Sequence, residues 1–311
     1  MDFASLAPYF ANEDKAIEFV ESLVWPDGPV CPHCGGIEKA YRIKGKSVRP
    51  GLLKCGHCKS QFTVKIGTIF EGSHIPLAKW LIAIYLMCSA KKGISANQLK
   101  RTLGLSYKSA WFLCHRVREA MKEEPLRSKL GSGGGIVEVD ETFIGGKIRN
   151  NRRRPYQGTG TVSKIPVMTL IERGGDVRTF VIPNTKRSTL QTIVRPVVDD
   201  TAHIMTDQHS SYKGLDKWFA SHSAVDHSKT FVRGIIHTNF AESYHSLLKR
   251  SIFGAHHHIS KRHLPRYLRE REFHWNRRHA SDGERTADAI RGARGKRLMY
   301  CSPTADKHHA E

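Results

Sequence analysis

Acidic residues are scarce in this chain of 311 residues, where 29 Asp and Glu stand against 50 Lys and Arg. The formal net charge of +21 predicts a polyanionic partner. Nucleic acid is the first choice for that partner, and an anionic membrane surface is the second.

Long apolar runs are also absent, and the longest one extends only from Leu81 to Cys88. Because a run of this length is far too short to cross a bilayer, it excludes a membrane-spanning helix. The N-terminus shows no basic start followed by an apolar core, so we expect no signal peptide. We therefore expect a cytoplasmic, nucleoid-associated protein with no membrane partner.

Cysteine is infrequent, and the seven cysteines are an odd number. Four of them form two Cys-x-x-Cys pairs with twenty residues between the pairs: Cys31, Cys34, Cys55 and Cys58. Four thiolates at this spacing close a tetrahedral shell, which predicts one structural Zn²⁺ in a reducing compartment rather than disulfides. His33 and His57 lie inside the two pairs and are interpreted as surface residues.

A helix-turn-helix pattern follows this cysteine-rich segment, with helices expected over 95–103 and 106–121. Gly104 provides the turn between them. The second helix then offers three cations to the phosphates or bases of DNA: Lys108, Arg116 and Arg118. The alternative is a plain helical hairpin with a solvated basic face.

From about residue 134 the pattern changes to short apolar strands alternating with helices. Strands are expected over 136–139, 165–171, 179–182 and 203–205. Helices are expected over 188–198, 239–250 and 260–275.

Carboxylates follow two of these strands and occupy one of the helices. Glu138 and Asp140 share one face of the first strand, Asp207 ends a later strand, and Glu242 lies on a polar helix face. Acidic groups that converge from two strand ends and a helix suit a pair of Mg²⁺ or Mn²⁺ ions, which promote phosphoryl transfer. Taken singly, each has a plainer role: Glu138 and Glu141 as accessory or surface-paired groups, Asp207 in a turn, and Glu242 in an ion pair.

Several motifs together resemble a known family, the bacterial insertion-sequence transposases with a zinc ribbon before a DDE catalytic domain. They are "CPHCGG", "CGHCKSQFTVKIGTIF", "VEVDETFIGGK", "MTDQHSSYKGL" and "HTNFAESYHSLLKRSIFGAHHHISKRHLPRYLREREFHWNRR". The resemblance extends from about residue 24 to 278. It implies that the protein binds terminal inverted repeats and target DNA, cleaves a strand, and joins the 3′-hydroxyl to the target as a homodimer or larger assembly on DNA.

The resemblance also implies site residues. The DDE triad would be Asp140, Asp207 and Glu242, with Asn239 as a rival or helper for the third position and Lys249 as a DNA-contacting lysine. His237 would lie near the pocket. Further DNA contacts are expected from basic residues after the first and third motifs: Arg152, Arg153, Arg154, Lys249 and Arg250.

The expected organisation is multi-domain. It consists of an N-terminal helix (1–25), a zinc ribbon (26–66), a helix-turn-helix region (75–125), an α/β ribonuclease-H-like domain with a mixed sheet flanked by helices (134–278), and a polar, loosely ordered tail (279–311). Three alternatives remain: a non-catalytic zinc-ribbon regulator, a nuclease of the same fold that cuts without joining, and an inactive domesticated copy.

Overall fold

The computed structural model describes residues 2–123, 128–145, 164–225 and 235–299. Within these ranges the α-helices are, in chain order, α1 (Phe3–Ala11), α2 (Glu13–Val24), α3 (Leu77–Ser89), α4 (Ala96–Leu103), α5 (Tyr107–Ala120), α6 (Arg187–Val197), α7 (Asn239–Ser251), α8 (Leu264–Asn276) and α9 (Asp282–Arg291). The strands are β1 (Ala40–Arg42), β2 (Leu53–Cys55), β3 (Gln61–Phe62), β4 (Ile136–Ile144), β5 (Ile165–Glu172), β6 (Val177–Val181), β7 (His203–Asp207) and β8 (Ser221–Val225). No helix in the described ranges has both the length and the apolar character needed to cross a membrane.

The chain divides into two compact units. Unit 1 combines Met1–Lys122 with His279–Glu311, and unit 2 is Glu123–Arg278. The segments interpreted as N-terminal helix, zinc ribbon and helix-turn-helix region therefore belong to one unit, together with the segment interpreted as a tail.

Two helices, rather than the single one expected, open unit 1, and Asn12 separates them. The Asn12 side chain caps α2 by accepting the amide of Lys15 at 3.0 Å. Glu13 then accepts the amides of Leu77 and Ala78 at 2.8 and 3.0 Å. These are orphan amides at the start of α3, so a carboxylate from α2 caps a helix distant in sequence.

The helices α4 and α5 lie where the sequence pattern predicts them. Ser95 and Ser106 cap them, each accepting an amide at 3.1 Å. Gly104 ends α4 with a φ of 63°, a left-handed conformation that glycine adopts without a steric penalty. Leu99 and Leu103 of α4 are buried.

The expectation of a loosely ordered tail over 279–311 is wrong for its first part, because α9 packs into unit 1. Ser281 and Glu284 form a capping box at its start. Ile290 is fully buried. A Cβ on Gly292 would lie 2.4 Å from the carbonyl oxygen of Ala120 in α5, so glycine permits this close approach. Residues 300–311 lie outside the described ranges.

A mixed five-stranded sheet forms the centre of unit 2, in the order β6-β5-β4-β7-β8. The pairs β4–β5 and β5–β6 are antiparallel, whereas β4–β7 and β7–β8 are parallel. One face packs against α6 through Leu190 and Val194. The other face packs against α7 and α8 through Tyr244, Leu248 and Leu268.

The central strand β4 is longer than the four residues expected, because it continues through Asp140 and Glu141 to Ile144. The neighbouring β5 pairs along this extension, with Asp140 opposite Thr169. The expectation that Asp140 follows the end of its strand is therefore wrong, whereas Asp207 does end β7. The edge strand β8 was not expected, since its sequence SHSAV is short and mostly polar.

The helix α9 gives a test of the unit 1 core. Ile290→Ala removes a fully buried side chain and should cost about 2–5 kcal/mol, which lowers the thermal unfolding midpoint. Arg291→Ala is the matched control, because it breaks only a partly exposed ion pair with Asp288 and should cost less than about 1 kcal/mol. Equal midpoints for the two variants would contradict the packing of α9 into the core.

Candidate zinc site and carboxylate cleft

The four cysteines come together in unit 1, each pair carried by a tight turn. In the first turn the Cys31 amide donates to Gly36 at 2.9 Å, and in the second the Cys55 amide donates to Ser60 at 2.9 Å. The sulfurs of Cys31 and Cys58 lie 3.7 Å apart, and those of Cys34 and Cys55 lie 3.6 Å apart. All four ligand atoms lie within 4.8 Å of one another.

This spacing fits zinc. A tetrahedron with Zn–S bonds of 2.3 Å has sulfur–sulfur edges of about 3.8 Å. A hydrogen bond from the Ser60 side chain lowers the pKa of Cys58 to about 6, so this thiol is ionised at neutral pH. His33 and His57 are exposed, as expected. The four cysteines constitute a structural zinc site.

Asp140 and Asp207 lie on neighbouring parallel strands of unit 2. The β4–β7 ladder pairs Ile136 with His203 and Glu138 with Met205. Continuing this register by two residues brings Asp140 level with Asp207. Both side chains then point to the same face of the sheet. The paired residues of β4 and β7 extend as far as Glu138 and Met205, so Asp140 and Asp207 lie just beyond the end of this ladder. The carboxyl ends of parallel strands form a crevice at such a place.

Glu141, the next residue of β4, is a third carboxylate near this end of the sheet, but strand alternation turns it to the opposite face from Asp140. On that face lies Tyr212, which belongs to the core cluster that packs on α6. Burial raises the pKa of Glu141 to about 7, and the charges of Asp140 and Asp207 act in the same direction, whereas the Tyr212 hydroxyl lowers it. Burial, followed by the nearby charge of Glu141, also raises the pKa of Tyr212 well above its usual value. We call Asp140 and Asp207, which share the face toward α7, the carboxylate cleft.

Glu138 has a different role from the cleft residues, although it lies on the same strand. It is fully buried. Its Oε2 accepts the amides of Phe240 and Ala241 at 2.9 and 3.1 Å, in the first turn of α7. A carboxylate at a helix N-terminus is favourable because it meets both the orphan amides and the positive end of the helix dipole. Glu138 therefore attaches α7 to the central strand.

Arg173 completes this attachment, and nothing in its turn sequence "ERGGD" singles it out. Its Nε donates to Glu138 Oε1 at 2.7 Å. Its two terminal nitrogens donate to the carbonyl oxygens of Ile235 and His237 at 2.7 and 3.0 Å. The His237 Nδ1 lies 3.2 Å from Glu138 Oε1. His237, expected near the pocket, thus contributes to the anchor of α7, which we call the Glu138–Arg173 clamp.

The first turn of α7 presents the remaining expected site residues, Asn239 and Glu242, and both are exposed. Among the described residues, only the four cysteines form a group of three or more potential ligands close enough to hold a metal ion. The three expected triad carboxylates therefore do not form such a group in this conformation.

The side of α7 that faces the sheet includes small and polar residues. The apolar residues Phe240 and Leu247 are 40% and 39% exposed. Ala241 and His245 are buried with Tyr244 and Leu248. A histidine is not an obvious core residue in a helical pattern, which is why His245 was missed.

His245 links α7 to the cleft strand. Its Nε2 lies 2.9 Å from the hydroxyl of Thr169, and its Nδ1 lies 3.4 Å from Asp140 Oδ2. Thr169 is the partner of Asp140 across the β4–β5 ladder. The imidazole is therefore held beside an expected catalytic carboxylate.

The basic residues expected to contact DNA divide into three groups. Lys108, Lys249 and Arg250 are exposed. Arg152, Arg153 and Arg154 lie outside the described residues.

The remaining two, Arg116 and Arg118, are 5% and 2% exposed, so the expectation that they reach DNA is wrong. Arg116 donates to the carbonyl oxygen of Glu71 and lies 5.6 Å from the ring of Trp80, which explains its burial.

Two comparisons with known proteins agree with these features. Residues 133–276 match the ISXO2-like transposase domain, and residues 11–61 match the transposase zinc-ribbon domain. A protein in transposable element ISH50 of Halobacterium salinarum is 28% identical over 274 residues, which cover 84% of this chain and 90% of that protein. A transposase-like protein of Haemophilus influenzae is 32% identical over 102 residues, which cover 32% of this chain and 80% of that protein.

The zinc site gives the next prediction. Cys58→Ser should lose the single bound zinc, because three thiolates and a poor hydroxyl ligand no longer complete the tetrahedral shell. Cys114→Ala is the control, since this cysteine is buried in α5 at 1% exposure and lies outside the cluster. Atomic absorption on the purified proteins measures the metal content. A full equivalent of zinc in the Cys58 variant would contradict the assignment.

The Glu138–Arg173 clamp gives a second prediction. Glu138→Gln keeps the shape of the side chain but leaves Arg173 without its charged partner, which should cost about 3 kcal/mol. Asp200→Asn is the control, because this exposed carboxylate lies 3.7 Å from Lys129 and should contribute less than about 1 kcal/mol. Urea unfolding measures the loss, and hydrogen exchange should show faster exchange in the first turn of α7. The clamp would be refuted if both variants behaved like the wild type.

Proposed function

Because the chain belongs to the insertion-sequence transposases with an N-terminal zinc ribbon, we propose that it is a DDE transposase that cleaves DNA at its element's terminal inverted repeats and joins the freed end to target DNA. One observation carries the proposal: Asp140 and Asp207 lie two residues beyond the last paired residues of two adjacent parallel strands, so that the register of these strands brings the two carboxylates to the same edge of the ladder. The family supports a DNA-cleaving and DNA-joining enzyme, and the cleft is where we place that chemistry.

The proposed catalytic residues are Asp140, Asp207 and Glu242. Asp140 and Asp207 come from the sheet, and Glu242 comes from the first turn of α7, which the clamp attaches to β4. Asn239 is the rival for the third position, because it occupies the same exposed turn. A carboxylate set that opens in the free protein and tightens on substrate is common at catalytic sites.

The chemistry of the cleft fits divalent cations with oxygen ligands, Mg²⁺ or Mn²⁺. Asp140 and Asp207 offer carboxylate oxygens, which are the ligands that these hard cations prefer. When bound there, two such ions would activate the attacking oxygen and stabilise the leaving oxygen. The protein's own contribution is to hold the carboxylates on rigid strands and to orient Asp140 through His245.

The fold of unit 2 supports a ribonuclease-H-like assignment. A mixed sheet lies between α6 on one face and α7 and α8 on the other, as expected for such a domain. The metal-binding cleft would then lie at the centre of the sheet, on its longest strand.

DNA recognition is proposed for two surfaces. In unit 1 the helix pair α4–α5 would act as a helix-turn-helix through the exposed start of α5, where Lys108 lies beside Tyr107, which is 50% exposed. In unit 2, Lys249 and Arg250 would contact phosphates near the cleft. Cleaving and joining two element ends requires two active sites, so we propose a homodimer or larger assembly on DNA.

The proposal predicts metal-dependent strand cleavage and joining. Purified protein with Mg²⁺ or Mn²⁺ should nick a labelled duplex at the boundary of the element's own terminal repeat and join it to a second DNA. The Asp207→Asn variant should cleave and join DNA about 10³-fold or more slowly, because the substitution removes a carboxylate ligand of the proposed metal site. Asp200→Asn is the control, since it alters an exposed carboxylate that precedes β7, at the opposite end of that strand from Asp207.

The outcomes separate the alternatives. Specific binding without nicking by the wild type would refute the proposal and favour a regulator, whereas nicking without joining would favour a nuclease. Comparison of Glu242→Gln with Asn239→Ala assigns the third position, because only the true third residue should match the loss seen for Asp207→Asn.

A further inference from the structure

A second concavity lies in unit 2, beyond the carboxylate cleft. This pocket of about 270 Å³ is formed where the end of β4 meets the end of α7 and the segment that follows it. Ile144, Phe253 and Ile259 contribute apolar walls, and Lys164 and Lys249 contribute two cations. An apolar pocket with cations around it suits a ligand that has a flat apolar body and a negatively charged attachment.

The local backbone keeps Phe253 at the surface. After α7 the chain makes a π-helical turn over Ile252–His256, and the His257 amide donates to Ile252 at 2.6 Å. His257 has a φ of 57°, which is costly for a residue other than glycine. Within this turn Ile252 is 5% exposed, whereas Phe253 is 60% exposed. Turns of this kind and such backbone outliers are concentrated at functional sites.

The pocket lies within reach of DNA bound at the cleft. Glu242 and Lys249 are on the same helix, seven positions apart, which corresponds to roughly 10 Å along its axis. A strand of duplex DNA advances 3.4 Å per base, so this distance corresponds to about three nucleotides. DNA whose scissile phosphate lies at the carboxylates would therefore pass the pocket close to its cleaved end.

We propose that this pocket accepts one nucleobase that has left the stack near the element's end, with Lys164 and Lys249 holding the adjacent phosphates. The inference rests on the proposed function, because it requires DNA in the cleft. A base has a flat apolar face that stacks on the ring of Phe253, and its phosphates complement the two lysines. Unstacking a base costs a few kcal/mol, and the cost is lowest where the base is already unpaired.

The test is an affinity measurement that needs no catalysis. In the Asp207→Asn background, fluorescence anisotropy compares duplexes of the element's end that are fully paired with duplexes mismatched at one terminal position at a time. The mismatched base should raise affinity at one position within a few nucleotides of the cleavage boundary. Phe253→Ala should abolish that gain, with a loss of roughly tenfold for the mismatched duplex.

Three controls make the result specific. Phe253→Tyr should keep the gain because it keeps the ring. Leu247→Ala should keep it as well, because this residue is a similarly exposed apolar residue of α7 that does not line the pocket. An abasic site at the sensitive position should behave like Phe253→Ala.

The proposal is overturned if no position shows a gain, or if the gain survives in Phe253→Ala. Failure of the proposed function would give a different result. The wild-type protein would then neither nick nor join DNA, but the anisotropy assay could still measure whether a mismatched base raises the affinity for the duplex. Conversely, normal nicking and joining with no sensitive position would refute the base pocket alone.

Discussion

A fully buried carboxylate must be matched by hydrogen-bond donors, and the way Glu138 meets this requirement fixes the geometry of unit 2. Its two oxygens are divided between Arg173 and the first amides of α7. One side chain thus joins the central strand, a turn after β5 and the start of a helix. If this carboxylate were unpaired its burial would be strongly unfavourable, so the sheet and α7 are stable only in the arrangement that satisfies it. Glu242 is placed relative to Asp140 as a consequence.

The distribution of charge follows a related logic. A chain with a net charge of +21 nevertheless places Asp140, Glu141 and Asp207 near one end of its central strands. Burial raises the pKa of Glu141, and the charges of Asp140 and Asp207 add to that rise, because a buried carboxylate loses the hydration of its charged form. In the proposed function, divalent cations would bind between the carboxylates of the cleft and the phosphates of DNA. The basic surface would attract the DNA and the acidic cleft would hold the cations, so each would depend on the other to hold a scissile phosphate in place.

Short sequence patterns predicted those structural features that depend only on a few neighbouring residues. The turn of each Cys-x-x-Cys pair and the glycine turn between α4 and α5 depend on residues within a few positions of one another. Contacts between distant segments were not accessible in that way. Arg116 is buried because it meets the carbonyl of Glu71, 45 positions away, and α9 is ordered because it packs against helices at the other end of the chain. The polar composition of both segments predicted exposure to solvent, but tertiary contacts bury Arg116 and order α9. The level positions of Asp140 and Asp207 likewise depend on a β4–β7 register that no local pattern specifies.

The helix α7 connects these observations, since a single rigid element carries residues of several kinds at fixed spacing. Its first turn is attached to β4 by Glu138 and presents Glu242. His245 lies about one turn after Glu242 and contacts Asp140. Lys249 lies about two turns after Glu242 and lines the pocket beside Phe253. A helix rises by a constant amount per residue, so in the proposed complex the order of residues along α7 would set the order of their contacts along a bound strand. If the first turn moved, the whole series would move with it. In the proposed transposase, the buried Glu138 carboxylate at the start of α7 would therefore set where chemistry occurs on the DNA, in addition to stabilising the domain.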